Sequence, residues 1–280
     1  MIDKFLEDSL KISIDKRSKY LRQLVVNSLI SANRGHMGSA MSLIEILRVL
    51  YDEIIVFDPK KTDLPNRDRL ILSKGHGCLA LYAILADKNF IKISELNNVG
   101  QLNSILGGHP ESFKVPGVEA STGALGHGLP IGLGIAVAAK INKEGHNIYV
   151  IVGDGEINEG STWEAALSAK KHKLNNLKII IDYNKIQSYG FTKEVLDLEP
   201  LKAKWKSFGF DVSEVNGHDI LALKNNFNQF KKRKIDKPSV TICHTIKGKG
   251  FYFAENNPLW HHKNSFTKEE VENLNDCLKA

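Results

Sequence analysis

The feature that most constrains the fold is a pair of short apolar strands that end in polar residues and are separated by one helical segment. The sequence predicts strands at 148–152 and 177–182, with a helix at about 161–173 between them. Further strands are predicted at 69–73, 210–215 and 239–244, and further helices at about 200–208 and 219–232. Strands that alternate with helices favour an α/β fold, in which helices cover both faces of a parallel central sheet.

The rest of the chain is predicted to form helices and one long loop. We expect one helix through the first thirty residues, a second at 39–50 and an apolar third that runs to about residue 86. Residues 101–128 are rich in Gly, Pro, Ser and His and have weak periodicity, which predicts an irregular functional loop. The capping box of Thr267 and Glu270 predicts a C-terminal helix at about 266–279. We expect residues 1–280 to form a single domain.

Composition and charge are those of a soluble globular protein. The 280 residues are 42% hydrophobic and 25% charged, with a formal net charge of +6. The one basic run, at 231–234, falls at a predicted helix end, where the helix dipole favours cations, so we expect no nucleic acid partner. No segment has the roughly 18 apolar residues of a membrane span, and the N-terminus lacks the apolar region of a secretory signal. The three scattered cysteines, Cys78, Cys243 and Cys277, indicate a reducing compartment, so we expect a cytoplasmic protein without a membrane partner.

Two polar sequences follow the central strands. Gly153, Asp154 and Gly155 end the first strand, and Asn184 follows the second strand thirty residues after Asp154 (184 minus 154). Because parallel strands joined by one helix end at the same sheet edge, the Asp154 carboxylate and the Asn184 amide are expected to meet there. With a backbone carbonyl they make half an octahedral shell, which Mg²⁺ or Ca²⁺ completes with diphosphate oxygens and water. Either piece alone is better explained as a tight turn or a helix cap, whereas the pair favours the metal site.

Histidines are concentrated after glycines. Six of the ten follow glycine directly: His36, His76, His109, His127, His146 and His218. A histidine on a glycine turn is a poor core residue and can present its imidazole to a ligand, although a single one is more typical of a surface turn. Imidazoles near neutral pH exchange protons and hydrogen-bond hydroxyl groups.

Together these motifs resemble the transketolase branch of the thiamine-diphosphate-dependent enzymes. The Gly153-Asp154-Gly155 turn followed by Asn184 resembles the cofactor motif of that superfamily, and the resemblance extends over nearly the whole chain. It includes ANRGH (32–36), SKGH (73–76), GGHPE (107–111), PGVE (116–119), STGALG (121–126), KGKG (247–250) and WH (260–261).

The resemblance implies a thiamine-diphosphate-binding fold and a set of site residues. The implied cofactor-binding residues are His76, Gly123, Ala124, Leu125, Gly153, Asp154, Gly155, Glu156, Asn184, Ile186 and His261. The implied metal ligands are Asp154, Asn184 and Ile186, with Mg²⁺ or Ca²⁺ as the ion. The implied catalytic residues, which face the diphosphate, the sugar hydroxyls and the reacting carbon, are His36, His76, His109 and His261.

Several features depart from the full-length members of that family. His127 replaces a glutamine, and Ala124 and Met37 replace prolines, as in the shorter, split members. Whether His127 reaches the cofactor or has a structural role stays open. No segment of this chain resembles the pyrimidine domain. We therefore expect the N-terminal subunit of a split transketolase, whose partner subunit carries the pyrimidine domain and the activating glutamate in an assembly of two copies of each (α2β2).

The reaction implied by the resemblance is transfer of a two-carbon ketol unit from a ketose to an aldose, with thiamine diphosphate and a divalent metal. Two alternatives remain at this point. One is a pyruvate-type donor, as in deoxyxylulose-phosphate synthase, and the other is a non-catalytic regulatory partner. The many histidines suited to sugar hydroxyls favour a ketose, and the presence of His36, His76 and His261 argues against the regulatory role.

Overall fold

A computed structural model describes residues 4–188, 190–232 and 235–279 of the chain. Arg233 and Lys234 of the basic run and the first three residues of the predicted N-terminal helix lie outside the described residues. Within the described residues, no helix combines the length and hydropathy that a membrane span requires.

A five-stranded parallel sheet forms the centre of the molecule, so the predicted α/β fold is confirmed. Its strands are β1 (Arg69–Leu72), β2 (Ile148–Gly153), β3 (Leu177–Tyr183), β6 (Asp211–Asn216) and β7 (Ser239–His244). They lie in the order β1-β2-β3-β7-β6. A separate antiparallel hairpin, which was not predicted, contains β4 (Ile186–Gln187) and β5 (Gly190–Phe191).

Helices cover both faces of the sheet. They are α1 (Lys4–Lys11), α2 (Lys16–Ala32), α3 (Met37–Met41), α4 (Ile44–Val49), α5 (Cys78–Asp87), α6 (Gly128–Ile141), α7 (Gly160–Lys171), α8 (Thr192–Val195), α9 (Leu201–Ser207), α10 (Ile220–Lys232) and α11 (Lys268–Lys279). Since successive strand side chains point to opposite faces, Tyr149 and Ile151 pack in one core with α2, α4, α5 and α10. Val150 and Val152 pack in a second core with α6, α7 and α9.

Two helix predictions were wrong. The expected single helix through the first thirty residues is two helices, because Asp15 caps α2 by accepting a hydrogen bond from the Ser18 amide at 2.8 Å. The expected helix at 39–50 breaks into α3 and α4 around Ser42, whose hydroxyl bonds to Asp182 at 2.6 Å.

Helix α6 was missed because its sequence is apolar and glycine-rich and shows no clear amphipathic period.

The register of the sheet brings three strand ends together. Gly153 pairs with Asp182, and Tyr183 pairs with His244, so β2, β3 and β7 end at the same edge. Ligands of parallel sheets bind at this edge. At the other end of the chain, α11 begins after Thr267, whose hydroxyl accepts a hydrogen bond from the Glu270 amide at 3.1 Å.

Candidate functional site

Asp154 connects the ends of β2 and β3. One carboxylate oxygen accepts a hydrogen bond from the Gly155 amide at 2.7 Å, and the other accepts one from the Lys185 amide at 2.5 Å. The Oδ1 atom of Asn184 accepts a hydrogen bond from the Ile186 amide at 3.1 Å. Burial, reinforced by the nearby charge of Asp182, raises the pKa of Asp154 to about 6. The three predicted metal-ligand residues are therefore neighbours at one sheet edge.

A small cavity of about 50 Å³ opens at this edge, and we call it the strand-end cavity. Its lining residues are Lys74, His76, Leu125, Gly153, Asp154, Gly155, Glu156, Asn184, Ile186, Gln187, Ser188, Lys247 and His261. Most of the predicted cofactor-binding residues are among them. Ala124, another predicted cofactor residue, is exposed.

Sequence reasoning missed a buried ion pair beside this cavity. The Asp182 carboxylate accepts hydrogen bonds from the Lys74 ammonium at 2.5 Å, from the Ser42 hydroxyl at 2.6 Å and from the Thr245 hydroxyl. Burial raises the pKa of Asp182, but the Lys74 ammonium and the hydrogen bonds outweigh this effect and lower the pKa overall. Asp182 is therefore a fixed negative charge that helps to balance the cations of the cavity.

Lys247 is a second buried cation that was missed. Its ammonium donates a hydrogen bond to the Ile186 carbonyl at 2.8 Å. Burial and the nearby Lys74 ammonium lower the pKa of Lys247 to about 8. The missed residues share a sequence signal, because Lys74, Asp182 and Lys247 all lie at or just beyond the C-terminal ends of strands, as Asp154 and Asn184 do.

The residues of the strand-end cavity fit a metal-bound diphosphate. Two polar atoms in its wall, Nδ1 of His261 and Nε2 of Gln187, are buried and lack a hydrogen-bond partner among the described residues. Such atoms need a partner supplied by a ligand or by water. Lys74 and Lys247 provide positive charge for an anion, while oxygens of the Asp154 and Asn184 side chains suit a hard cation.

The four predicted catalytic histidines lie together around His36. Ring centroids of His76, His109 and His261 lie 5.5, 6.2 and 5.4 Å from that of His36. A fifth imidazole, that of His262, lies 4.4 Å from His36 and was missed by sequence reasoning. In the sequence, only its position next to the Trp260-His261 motif indicates that His262 belongs to the site.

The local environment keeps the four predicted catalytic imidazoles, those of His36, His76, His109 and His261, neutral at pH 7. Burial, reinforced by neighbouring imidazoles and by Lys247, lowers the pKa of His36 to about 4. Burial and Lys247 lower the pKa of His261 to about 3. The pKa of His76 is well below its ordinary value because of burial and the adjacent Lys74 ammonium, and burial also lowers the pKa of His109. Neutral imidazoles can both donate and accept hydrogen bonds, which suits them to sugar hydroxyls.

A larger cavity of about 200 Å³, here called the histidine cleft, adjoins these imidazoles. Its lining residues are Ala32, Arg34, Gly35, His36, His76, Cys78, Leu79, Val99, Gly100, Gly108, His109 and His262. His76 lines both this cleft and the strand-end cavity. The two cavities therefore share the imidazole of His76 as a common wall.

The loop carrying His109 is held in place by Tyr82 and by a glycine. The Tyr82 hydroxyl lies 3.1 Å from the Gly107 carbonyl and 3.0 Å from the His109 carbonyl. Gly123 has a φ of +143°, and a β-carbon at that position would lie 2.8 Å from the His109 ring. Only glycine allows this close approach, so the predicted cofactor loop at 121–126 packs directly against a predicted catalytic side chain.

The carboxylate of Glu156 forms its hydrogen bonds with groups of the protein itself. It accepts hydrogen bonds from the amides of Gly153 and Gly126, each at 3.0 Å, and from the Ser73 hydroxyl. Glu156 therefore joins the Gly153–Gly155 turn to the loop that precedes α6. His127 lies in that loop, is exposed, and has its Nδ1 atom 3.0 Å from the Leu125 carbonyl.

Comparison with known proteins establishes the family. Residues 14–278 match the family model described as transketolase, thiamine diphosphate binding domain. The chain belongs to the transketolase family. The resemblance that the motifs indicated is confirmed, and with it a thiamine-diphosphate-binding domain.

Transketolase subunits of similar length are among the relatives of this transketolase chain. An apulose-4-phosphate transketolase subunit of Actinobacillus succinogenes is 45% identical over 253 residues, which cover 89% of this chain and 90% of that protein. The 6-deoxy-6-sulfo-D-fructose transketolase subunit SqwG of Clostridium sp. is 37% identical over 259 residues, which cover 92% and 94%.

Solved transketolases have the same fold over this part of their sequence. A Pichia stipitis transketolase in complex with sedoheptulose 7-phosphate superposes with a TM-score of 0.88 at 31% identity and covers 94% of this chain. A Campylobacter jejuni transketolase gives a TM-score of 0.85 at 31% identity and covers all of it. The match spans only 40% and 43% of those two chains. The predicted transketolase-type transferase is thus confirmed, and the roles of individual site residues stay predictions.

Proposed function

We propose that this chain is the diphosphate-binding subunit of a two-subunit transketolase that transfers a two-carbon ketol unit from a ketose to an aldose. The observation that carries the proposal is the wall shared by the strand-end cavity and the histidine cleft. This wall puts the proposed diphosphate site next to the proposed polyol site. The near-complete coverage of relatives that are transketolase subunits supports the division into two chains. A pyruvate-type donor needs fewer hydroxyl-binding groups than the five imidazoles around this cleft provide.

The strand-end cavity is the proposed cofactor site. Asp154, Asn184 and the Ile186 carbonyl would hold Mg²⁺, or Ca²⁺ in its place, since all three offer oxygen ligands. Lys247 and His76, which line the same cavity, would bind the diphosphate oxygens. Gly123, Leu125, Gly153, Gly155 and His261 would complete this site, and thiamine diphosphate supplies the electron sink that allows a carbon–carbon bond of the ketose to break.

The imidazoles provide the proposed substrate chemistry of this chain. His36 and His109 would orient the sugar by hydrogen bonds to its hydroxyl groups, and His261 would exchange a proton at the oxygen next to the reacting carbon. Because the pKa values of His36 and His261 are far below 7, each imidazole is available to accept a proton throughout the physiological range. The nearby ammonium of Lys247 opposes lasting protonation of His261, which favours return of the proton.

We propose a partner subunit that carries a pyrimidine-binding domain and an activating glutamate, with two copies of each subunit in the assembly. We further propose a cytoplasmic location, which suits the free thiols of Cys78, Cys243 and Cys277.

The test is purification of this chain from its native host, together with whatever chain accompanies it. The purified material is assayed for two-carbon transfer with thiamine diphosphate, Mg²⁺ and ketose donors, and for carbon dioxide release from pyruvate. The proposal predicts a companion chain and ketose-dependent transfer without carbon dioxide release. Pyruvate decarboxylation in place of ketose transfer would contradict it, as would full activity after alanine substitution of His76 or His261 in the assembled enzyme.

A further inference from the structure

A buried charge cluster borders the loop that follows β7. The two terminal nitrogens of the Arg22 guanidinium donate hydrogen bonds to the two carboxylate oxygens of Glu45 at 2.6 and 3.0 Å. Nδ1 of His218, one of the six histidines that follow glycine, lies 2.8 Å from the same carboxylate. We call these three residues the Glu45 cluster; each is at most 3% exposed, and none of them lines the strand-end cavity or the histidine cleft. The proposed cofactor and substrate contacts therefore leave this cluster unexplained.

Glu45 fixes which nitrogen of His218 carries the proton. Burial raises the pKa of Glu45, but the Arg22 charge and the hydrogen bond from His218 outweigh burial and hold this pKa well below its ordinary value. Glu45 is therefore a carboxylate, which can only accept hydrogen bonds, so Nδ1 of His218 carries the proton and acts as the donor. Nε2 is left with a lone pair, and it accepts a hydrogen bond from the Ile246 amide at 2.8 Å.

Two members of the cluster hold the backbone on either side of Lys247. His218 binds the preceding amide, and Nε of Arg22 donates a hydrogen bond to the Lys249 carbonyl at 2.9 Å. Between these two anchors, the Lys247 ammonium reaches the Ile186 carbonyl at 2.8 Å and lines the strand-end cavity. The side chains that hold the loop backbone are thus separate from the side chain that faces the cavity.

Lys247 needs such support because its side chain is long and its ammonium is buried. The residue is 1% exposed, whereas an ammonium on a flexible four-carbon stem is favoured in water. A buried group of this kind keeps its position only where the surrounding structure fixes its backbone. We propose that His218 is a positioning residue for Lys247, and that the Glu45 cluster keeps the Lys247 ammonium in the wall of the strand-end cavity. This inference rests on the proposed function, in which that ammonium binds diphosphate oxygens.

Chemical labelling of lysines tests the position of Lys247 without any ligand. The full chain is treated briefly with acetic anhydride, and acetylation of each lysine is measured by peptide mass spectrometry. The internal reference is Lys178 in β3, which is also buried and donates hydrogen bonds to the carbonyls of Asn175 and Phe230. Because Lys178 lies in the central sheet, its labelling reports unfolding of the whole domain.

Two substitutions of His218 separate its two hydrogen bonds. Asparagine is short and can place its amide only near the position of Nδ1, so His218→Asn loses the bond to the Ile246 amide. Glutamine is one methylene longer, and its amide oxygen can reach the position of Nε2 and accept that bond. The control, Asn226→Ala, removes two hydrogen bonds that join α10 to Ser213 of β6 and Thr241 of β7 and that lie outside the loop.

In His218→Asn, labelling of Lys247 is expected to rise by at least about 10-fold relative to that of Lys178, because loss of one buried hydrogen bond increases opening of the loop by about that factor. His218→Gln is expected to restore part of the protection, and Asn226→Ala to keep the wild-type ratio. A wild-type ratio in His218→Asn, with labelling of the two lysines either unchanged or equally raised, would overturn the proposal.

Binding of inorganic diphosphate in the presence of Mg²⁺ links this position to the proposed cofactor site. Calorimetric titration of the full chain compares the wild type, His218→Asn, Lys247→Met and the double variant. If His218 acts through Lys247, His218→Asn weakens binding by about 10- to 100-fold in the wild type and has no further effect in the Lys247→Met background. Equal weakening in both backgrounds would overturn the positioning role. A rise in Lys247 labelling without diphosphate binding to the wild type would support the positioning role and contradict only the proposed function.

Discussion

The Lys74 ammonium and the Asp182 carboxylate lie 2.5 Å apart, with side chains that are 1% and 0% exposed. Lys74 follows β1 and Asp182 belongs to β3, so the pair reaches across the end of β2. Ser42, from the break between α3 and α4, and Thr245, beyond β7, bind the same carboxylate. One buried charge pair thus joins four segments of the chain at the edge where the proposed site lies.

Removing one partner of this pair is expected to destabilise the folded protein. Lys74→Met leaves the Asp182 carboxylate buried without its cation, and we expect the free energy of unfolding to fall by about 3–5 kcal/mol. Urea unfolding followed by circular dichroism measures the change. The double variant Lys74→Met with Asp182→Leu removes both charges and is expected to lose less stability than Lys74→Met alone. If the free energy of unfolding of Lys74→Met matched that of the wild type, the pair would contribute little to stability.

Close backbone packing at Gly75 gives a second prediction. A β-carbon there would lie 2.7 Å from backbone atoms of Thr122 and Gly123, so Gly75→Ala must push apart the His76 loop and the loop at 121–126. We expect a loss of about 1–3 kcal/mol in the free energy of unfolding. The control is Gly134→Ala in α6, where a β-carbon meets nothing within 4 Å. There the higher helix propensity of alanine is expected to raise the free energy of unfolding by about 0.5–1 kcal/mol. Equal thermal stability of the two variants in calorimetry would refute the packing argument.

The buried imidazoles make stability depend on pH. The folded-state pKa values of His36 and His261 are about 4 and 3, below the unfolded value of about 6.5. Between pH 6.5 and these values the unfolded chain binds protons that the folded chain does not, so stability falls as pH falls. Each group adds a slope of at most about 1.4 kcal/mol per pH unit, reduced by its partial solvent exposure.

Urea unfolding at pH 7, 6 and 5 measures this slope. His36→Gln and His261→Gln are expected to flatten it, because each removes one group that must stay neutral in the folded state. His172→Gln, at an exposed position, serves as the control and is expected to keep the wild-type slope. Identical slopes in all four proteins would mean that the imidazoles of His36 and His261 titrate as they do in water.

Local sequence patterns predicted the meeting of Asp154 with Asn184, because the connection through α7 requires β2 and β3 to be parallel and to end together. They could not predict that Lys74 meets Asp182, since this contact depends on β1 lying next to β2 and on the exact end of β3. The His36–His262 pair likewise depends on a bridge between segments more than 220 residues apart. The cap at Asp15 was visible in the sequence, but the periodicity of the flanking apolar residues concealed the helix break.

Calorimetric titration of thiamine diphosphate shows whether the ends of β2 and β3 hold the cofactor diphosphate through a metal ion. The proteins are the wild type, Asp154→Asn, Asn184→Ala and the exposed control Asp236→Asn, each with and without Mg²⁺ and each checked for folding by circular dichroism. We predict Mg²⁺-dependent binding to the wild type and to the control, and at least about 100-fold weaker binding to the other two variants. Mg²⁺-dependent binding of wild-type strength in both Asp154→Asn and Asn184→Ala would show that these two side chains do not hold the metal ion.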